Sequence, residues 1–369
     1  MNQIHSLTRR GFLTSTSCLG AALALGKYFP LPALAEPIAQ DPRVAETPLL
    51  DKGFAAVRKI GQGVYATISD FSKGIETLSN GGFIVGSDAA LLIEGHRAPA
   101  GAAFELEALR LVSQVPVRAA VDTHYHFDHS LGNAYYGAQG IPVLAHSKTA
   151  PLMVERYANL QGQDKTPLLE PLEKRLRDAA DESERQRAQG DLNAYKLIFA
   201  TIDSTIVALP SQPLDPAKLP LMLDLGGVKA VIETYPGHTP TDVVIRVPEQ
   251  NIVFTGDLLF NGWYPVTFDA DLSAWRATLA KFAAFGKDTL FVPGHGQLCG
   301  QEGVANERAV IDDLAEHAGK MYKAGVPVEE AQKRYVVPER FQGFPIFAWS
   351  FTIGSAIAKF YEELKAGKS

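Results

Sequence analysis

The sequence predicts a mixed α/β fold. Short apolar runs separated by glycine turns predict strands at residues 64–68, 82–85 and 89–93. Residues 106–112 indicate a helix that crosses over to a further strand at residues 115–121, where every second residue is apolar. Helical patterns return at residues 150–200 and beyond residue 305. Strands and helices therefore both contribute to the domain.

The first 35 residues are predicted to be a removable export signal. Ser6–Leu13 resembles a twin-arginine signal, an apolar stretch follows at Leu19–Leu25, and Ala33–Ala35 forms an Ala-X-Ala cleavage site. The apolar stretch is too short to form a stable membrane anchor. We therefore expect a periplasmic protein that is exported folded through the twin-arginine route.

Composition limits the remaining chain. Removing 35 of 369 residues leaves 369 − 35 = 334 residues, enough for one large domain with additions, and residues 36–55 contain prolines typical of a linker. A net charge of −6 provides no basic surface, so we expect no nucleic-acid partner. After cleavage only Cys299 remains, so no internal disulfide is expected, and Cys299 is predicted to be a small buried residue rather than a metal ligand.

Four residues with metal-binding side chains lie within six positions directly after the strand at residues 115–121. They are His124, His126, Asp128 and His129. Neutral imidazoles and carboxylates suit a borderline divalent metal such as zinc. The sequence therefore predicts a metal site at the C-terminal edge of this strand.

This run resembles the His-X-His-X-Asp-His signature of the metallo-β-lactamase superfamily. Three downstream segments extend the resemblance: His238 in Pro-Gly-His-Thr-Pro, Asp257 after Ile-Val-Phe-Thr-Gly, and His295 after Leu-Phe-Val-Pro-Gly. The resemblance implies a four-layer αββα sandwich at residues 56–304, with a helical insertion at about residues 150–200. Residues 305–369 would form a C-terminal helical extension.

The resemblance also implies a ligand set. One metal would be held by His124, His126 and His238, a second by Asp128, His129 and His295, and Asp257 would bridge the two. Taken singly, His238 is also compatible with a turn histidine, Asp257 with a strand-end cap and His295 with a loop histidine. The implied cofactors are two zinc ions, with iron or manganese as alternatives. They would share a hydroxide nucleophile, which Asp128 orients as the catalytic carboxylate.

Several neighbouring residues have predicted supporting roles. Glu94 occupies a position where the family commonly has Asp, and it is expected to support the ligands. His96 is predicted to lie in a surface turn, with a metal ligand as the alternative, and Asn133 either orients the metal-bearing loop or caps a helix. Trp263 and Tyr264 are predicted to contact a small-molecule substrate, with core packing as the alternative.

Two regions lack a chemical motif. The insertion at residues 150–200 is predicted to be either a cap beside the site or a solvated helix pair. The aromatic-rich stretch at residues 341–351 indicates a core or a subunit contact rather than a ligand site. An oligomer formed through the C-terminal helices would fit this pattern.

The expected function is a periplasmic dinuclear zinc hydrolase that uses a metal-bound hydroxide to cleave an ester, thioester or amide bond. A β-lactam or lactone hydrolase is an alternative, although Asp257 resembles the type II glyoxalase ligand set, whereas many zinc β-lactamases have Cys there. Two other classes remain open. They are an iron-dependent sulfur-compound dioxygenase or oxidoreductase, and a non-catalytic accessory metal protein of a quinoprotein or sulfur-oxidation system.

Overall fold

Two β-sheets stacked face to face form the centre of the computed structural model, which describes residues 41–367. Within these residues the first sheet has eight strands in chain order: β1 (Leu50–Asp51), β2 (Ala55–Gly61), β3 (Val64–Ser69), β4 (Gly81–Val85), β5 (Ala90–Ile93), β6 (Val117–Val121), β7 (Val143–His146) and β8 (Gln212–Leu214). Strands β1 to β5 pair antiparallel, whereas β5 to β8 pair parallel. The predicted export signal lies outside the described residues.

The second sheet follows in the chain and packs on the first. In the described part of the chain its strands are β9 (Leu221–Asp224), β10 (Lys229–Thr234), β11 (Val243–Val247), β12 (Ile252–Asn261) and β13 (Leu290–Gly296), in the spatial order β13-β12-β11-β10-β9. Only the β12–β13 pair is parallel among these strands. Leu91 and Val121 of the first sheet share one buried apolar cluster with Ile232 and Phe254 of the second. This cluster holds the two sheets together.

The described helices cover the outer faces of the two sheets or lie in the connections between strands. They are α1 (Pro99–Val112), α2 (Phe127–Ser130), α3 (Asn133–Ala138), α4 (Thr149–Met153), α5 (Thr166–Arg177), α6 (Glu182–Ser204), α7 (Leu272–Ala283), α8 (Gln301–Lys323), α9 (Val328–Arg334) and α10 (Ile353–Lys365). Phe104 of α1 packs with Phe83 on the first sheet, and Trp275 of α7 packs with Leu259 on the second. The predicted four-layer αββα sandwich is therefore confirmed. No helix within residues 41–367 is both long enough and apolar enough to cross a bilayer.

The helical insertion lies against the histidine run. A π-helical turn at Val154–Ala158 follows α4, and Asp181 begins α6 by accepting a hydrogen bond from the Glu184 N–H at 2.7 Å. Tyr157 and Phe199 of the insertion share a buried apolar cluster with Phe127. Of the two readings of this region, the structure therefore favours a cap beside the site.

Two segments differ from the predicted domain outline. Leu50, within the predicted linker at residues 36–55, pairs with Val57 and so adds a short strand to the first sheet. Helix α8 begins at Gln301, and its Val310 shares a buried cluster with Phe291 of β13 and Ile357 of α10. The C-terminal helices thus form the outer layer of the second sheet, because their apolar faces cover it.

The insertion is also tied to the chain between α9 and α10. Asp191 on α6 is completely buried and accepts hydrogen bonds from the Ser350 backbone N–H at 2.9 Å and from Arg175 Nη1 at 2.5 Å. The Arg187 guanidinium lies 3.7 Å from the centroid of the Trp349 ring. These contacts fix residues 349–350 against α6.

We expect Asp191→Ala to lower the free energy of unfolding by about 1–3 kcal/mol, because the Ser350 N–H loses its buried acceptor. Urea unfolding of the full chain would measure the change. Glu182→Ala, at an exposed position on the same helix, should change stability by less than about 0.5 kcal/mol. Equal losses in the two variants would contradict a specific tie at Asp191.

Candidate metal centre

The first four candidate ligands lie on the loop and short helix that follow β6. This strand ends at Val121, so the loop behind it carries His124 and His126 to the sheet edge, and α2 carries Asp128 and His129. The Ser130 hydroxyl lies 3.0 Å from both the Tyr125 and His126 carbonyl oxygens, to which it can donate. This local bond holds the turn that presents the four side chains.

The other three candidate ligands come from the second half. His238 lies in the turn after β10, Asp257 lies on β12, and His295 lies near the end of β13. Two glycines allow this close approach. Gly256 adopts a φ of +52°, and a Cβ atom at Gly294 would lie 1.9 Å from Asp257 Oδ1. A side chain at Gly294 would displace the Asp257 carboxylate, and one at Gly256 would collide with the Thr123 side chain.

The structure brings all seven predicted ligands together in two groups. Candidate ligand atoms lie within 4.8 Å of one another in each group, namely His124, His126, His238 and Asp257 in the first and Asp128, His129 and His295 in the second. The Asp257 carboxylate lies 3.5 Å from His238 Nε2, 3.1 Å from His129 Nε2 and 3.4 Å from His295 Nε2. It therefore stands between the two groups.

The donor set fits divalent cations. His124 Nε2, His129 Nε2 and Asp257 Oδ1 are buried, and none of these atoms makes a hydrogen bond of regular geometry with a residue in the described part of the chain. His238 Nε2 and His126 Nδ1 lie 3.0 Å apart, and His295 Nε2 lies 3.2 Å from Asp128 Oδ2. Unpaired buried polar atoms are costly unless a ligand satisfies them. Imidazoles and carboxylates in this arrangement suit two ions of the zinc type.

Residues outside the two ligand groups orient the rings of His129 and His124. Glu94 Oε1 lies 3.0 Å from His129 Nδ1, so His129 Nε2 faces the centre. The same Glu94 oxygen accepts a hydrogen bond from Thr123 Oγ1 at 2.5 Å, and Thr123 Oγ1 lies 3.1 Å from His124 Nδ1. Glu94 has a φ of +86°, a strained conformation for a residue with a side chain. Its position matches the supporting role expected from the sequence.

Sequence reasoning missed a second carboxylate partner, Asp269. The His238 ring is oriented by the Val266 carbonyl, 2.9 Å from Nδ1. Asp269 Oδ2 lies 3.4 Å from His126 Nε2, so the other nitrogen of that ring, Nδ1, faces His238. Asp269 also accepts a hydrogen bond from the Tyr125 hydroxyl. Asp269 lies in an irregular segment far along the chain, so no local pattern marked it.

The structure also bears on the predictions made for His96, Asn133 and Cys299. His96 was predicted to lie in a surface turn, which is wrong: it is completely buried, and its Nε2 lies 2.8 Å from Oε2 of the buried Glu105. The Asn133 amide donates to Asp122 Oδ2 at 2.6 Å and makes no helix-cap bond, so it holds the metal-bearing loop. Cys299 is buried and belongs to neither ligand group.

Electrostatics divide the histidines into neutral and charged rings in the metal-free site. Burial lowers the pKa of His238 to about 3 and holds the pKa of His124 well below its usual value. Burial acts the same way on His295, but Asp257 and Asp128 outweigh it and raise the pKa of His295 to about 9. His295 and His129 similarly hold the pKa of Asp257 low against its burial. The carboxylates are thus ionised and available as ligands.

A cavity of about 470 Å³ opens onto Asp128, Asp257 and His295. Trp263 lines it, and the centroid of its ring lies 5.6 Å from that of the His295 ring. Tyr264 also lines the cavity but is only 1% exposed, and its hydroxyl lies 2.9 Å from the Tyr335 hydroxyl. Little of the Tyr264 ring is therefore accessible from the cavity.

The C-terminal aromatic stretch also reaches this cavity. Phe347 and Phe351 line it, although the sequence pattern favoured a core or a subunit contact for the stretch. Phe341 is buried in the core around α8, as that pattern predicts. The stretch therefore divides between the core and the cavity wall.

Comparison with known proteins places this site in a family. The family model described as the metallo-beta-lactamase superfamily matches residues 74–295. The metallo-beta-lactamase type 2 of Bacteroides fragilis is 30% identical over 122 residues, which are 32% of this chain and 43% of that protein. An uncharacterized protein of Mycobacterium tuberculosis is 35% identical over 82 residues, 20% of this chain and 37% of that protein. The chain thus spans less than half the length of these curated relatives.

A solved structure similar to the chain is that of a stereoselective inverting sec-alkylsulfatase from Pseudomonas sp.. The TM-score is 0.54 at 17% identity, and the match covers 84% of this chain and 50% of the other. At this identity the likeness concerns the fold alone.

We expect Glu94→Gln to weaken zinc binding by roughly 10–100-fold, because the neutral amide no longer holds the His129 ring as the carboxylate does. Competition with a chromogenic chelator would measure the affinity. Glu107→Gln, at an exposed position of α1, is the matched control and should bind zinc like the unchanged protein. An unaltered zinc affinity in Glu94→Gln would contradict the supporting role assigned to Glu94.

Zinc binding should release at least one proton per chain at pH 7. In the metal-free protein Asp257 and Asp128 keep His295 protonated up to a pKa of about 9, whereas a ligand must be neutral. Affinity should therefore fall as the pH decreases from 9 to 6. Calorimetry in buffers of different ionisation enthalpy counts the protons. His317→Gln, outside both ligand groups, should leave the count unchanged, and a count of zero would refute the assignment.

Proposed function

The chain belongs to the metallo-β-lactamase superfamily, and we propose that it is a metal-dependent hydrolase with two zinc ions that cleaves an ester, thioester or amide bond of a small molecule. One observation carries the proposal. Seven histidine and aspartate side chains, six of them buried and His295 partly buried, gather at one end of a cavity that is large enough for a small molecule. A periplasmic setting forms part of the proposal through residues 1–35.

Each residue group has a defined task in this proposal. His124, His126 and His238 would hold one ion, Asp128, His129 and His295 the other, and Asp257 would contact both. When bound, such a pair of cations lowers the pKa of water to near neutrality and polarises a carbonyl oxygen. The outer partners Glu94 and Asp269 would keep the imidazole rings in their binding orientation.

Asp128 is suited to handle the proton of the attacking water. Its carboxylate lines the cavity and lies 3.2 Å from His295 Nε2. Burial raises the pKa of Asp128, but His129 and His295 outweigh burial and lower it, so the group is ionised at neutral pH. An ionised carboxylate at the cavity wall can orient a water and accept its proton.

Metal content and a substrate panel test the proposal together. The expected result is about two zinc ions per chain and turnover of at least one member of a panel containing p-nitrophenyl esters, an acyl thioester and a β-lactam. The β-lactam is included because the Bacteroides fragilis relative is a metallo-beta-lactamase. One iron per chain without hydrolysis would instead favour the oxidoreductase alternative and refute the hydrolase.

Asp128→Ala should reduce kcat/KM by at least about 10²–10⁴-fold, since it removes the proton acceptor and one metal ligand. Far-UV circular dichroism should show that the variant remains folded. Asp178→Ala, at an exposed position after α5, is the control and should retain full activity. Undiminished turnover in Asp128→Ala would refute the role assigned to this carboxylate.

A further inference from the structure

The cavity beside the metal centre has apolar walls from three parts of the chain. The loop after β12 contributes Trp263 and Phe268, the insertion contributes Leu172 and Ile198, and the C-terminal segment contributes Phe347. Ile198 and Phe347 are neither fully buried nor fully exposed, so their apolar surfaces remain available to a ligand. A cavity of this size and lining is suited to an apolar group.

Charge is nearly absent from these walls. Among the described residues that line the cavity, Arg156 is the one charged side chain outside the candidate ligands. Its Nη2 atom lies 3.7 Å from Asp269 Oδ1, and Asp269 is itself bound by Tyr125. Arg156 is thus offset by a neighbouring carboxylate. A charged substrate group placed among the apolar walls would lose its hydration without gaining a partner.

The walls are partly fixed before a ligand enters. The ties of Asp191 and Arg187 to residues 349–350 hold the C-terminal wall against α6, which lowers the cost of ordering the wall on binding. By contrast, α5 has no buried residue, although its Leu168 and Leu172 line the cavity. Leu168 is 46% exposed. Leu168 and Leu172 thus form an apolar rim, and this rim indicates that the entrance of the cavity lies at α5.

From these observations we infer that the substrate carries a long apolar acyl or alkyl chain, which lies between α5, α6 and the C-terminal segment while the scissile bond lies at the metal centre. The inference rests on the proposed hydrolase function and adds the substrate class to it. It assigns substrate selection to the insertion and to residues 345–351, which lie outside the seven ligands.

A series of p-nitrophenyl esters from acetate to decanoate tests the inference with the zinc-loaded full chain, at concentrations below those at which the esters aggregate. Each buried methylene is expected to raise kcat/KM by about threefold to fourfold, so two methylenes give about tenfold. The rise should stop once the chain fills the cavity. A flat or falling profile from acetate onward would overturn the inference.

Variants locate the chain-binding region. Ile198→Trp fills the cavity and should reduce the ratio of octanoate to acetate kcat/KM by at least about tenfold. Ala200→Trp adds the same ring two residues along α6, at an exposed position that does not line the cavity, and should keep the ratio. Leu172→Asn, on a helix without buried residues, should lower the ratio with little risk to folding. Unchanged ratios in both cavity variants would contradict the proposed location.

A binding measurement separates this inference from the hydrolase proposal. Butan-1-ol, octan-1-ol and dodecan-1-ol should displace the neutral dye N-phenyl-1-naphthylamine from the protein, with affinity rising with chain length. Displacement of this kind without hydrolysis of any member of the ester, thioester and β-lactam panel would refute the hydrolase and support an apolar-chain site. Hydrolysis without dye binding or alcohol displacement would support the hydrolase and overturn the apolar-chain site.

Discussion

The central constraint on this molecule is the close and largely buried grouping of five imidazoles and two carboxylates in one place. Such a cluster is unfavourable in a folded chain unless cations or protons balance it, because charged and polar groups lose their hydration. Asp257 shows the balance most clearly. Its carboxylate lies within 3.5 Å of imidazole nitrogens from both groups, so it couples the two halves of the sandwich at their shared edge.

The αββα sandwich makes this grouping possible because it brings loops from both sheets to one shared edge. The first sheet supplies the His124–His129 run and the second supplies His238, Asp257 and His295. The buried apolar layer between the sheets fixes the distance between these contributions. Close packing transmits small displacements, so the geometry of the centre depends on residues that never contact a metal.

Much of the candidate centre could be predicted from the sequence because its candidate ligands lie in short patterns next to strands. The His124–His129 run and the segment around Asp257 have this local character. His96 was misplaced, since its burial depends on Glu105 of α1, a partner that no turn pattern reveals. Asp269 and Phe347 were missed as site residues for the same reason: their roles arise from contacts with residues far away in the chain.

The tie between Trp349 and Arg187 has a consequence for the evolution of this architecture. The two residues belong to segments that the whole second sheet separates along the chain. Other residues of each segment, such as Ile198 and Phe347, line the same cavity. If the insertion at residues 150–200 were replaced by that of a related protein, it would pack against a C-terminal segment whose side chains fit a different insertion. Changes in these two segments should therefore be inherited jointly, while the metal-binding framework stays constant beneath them.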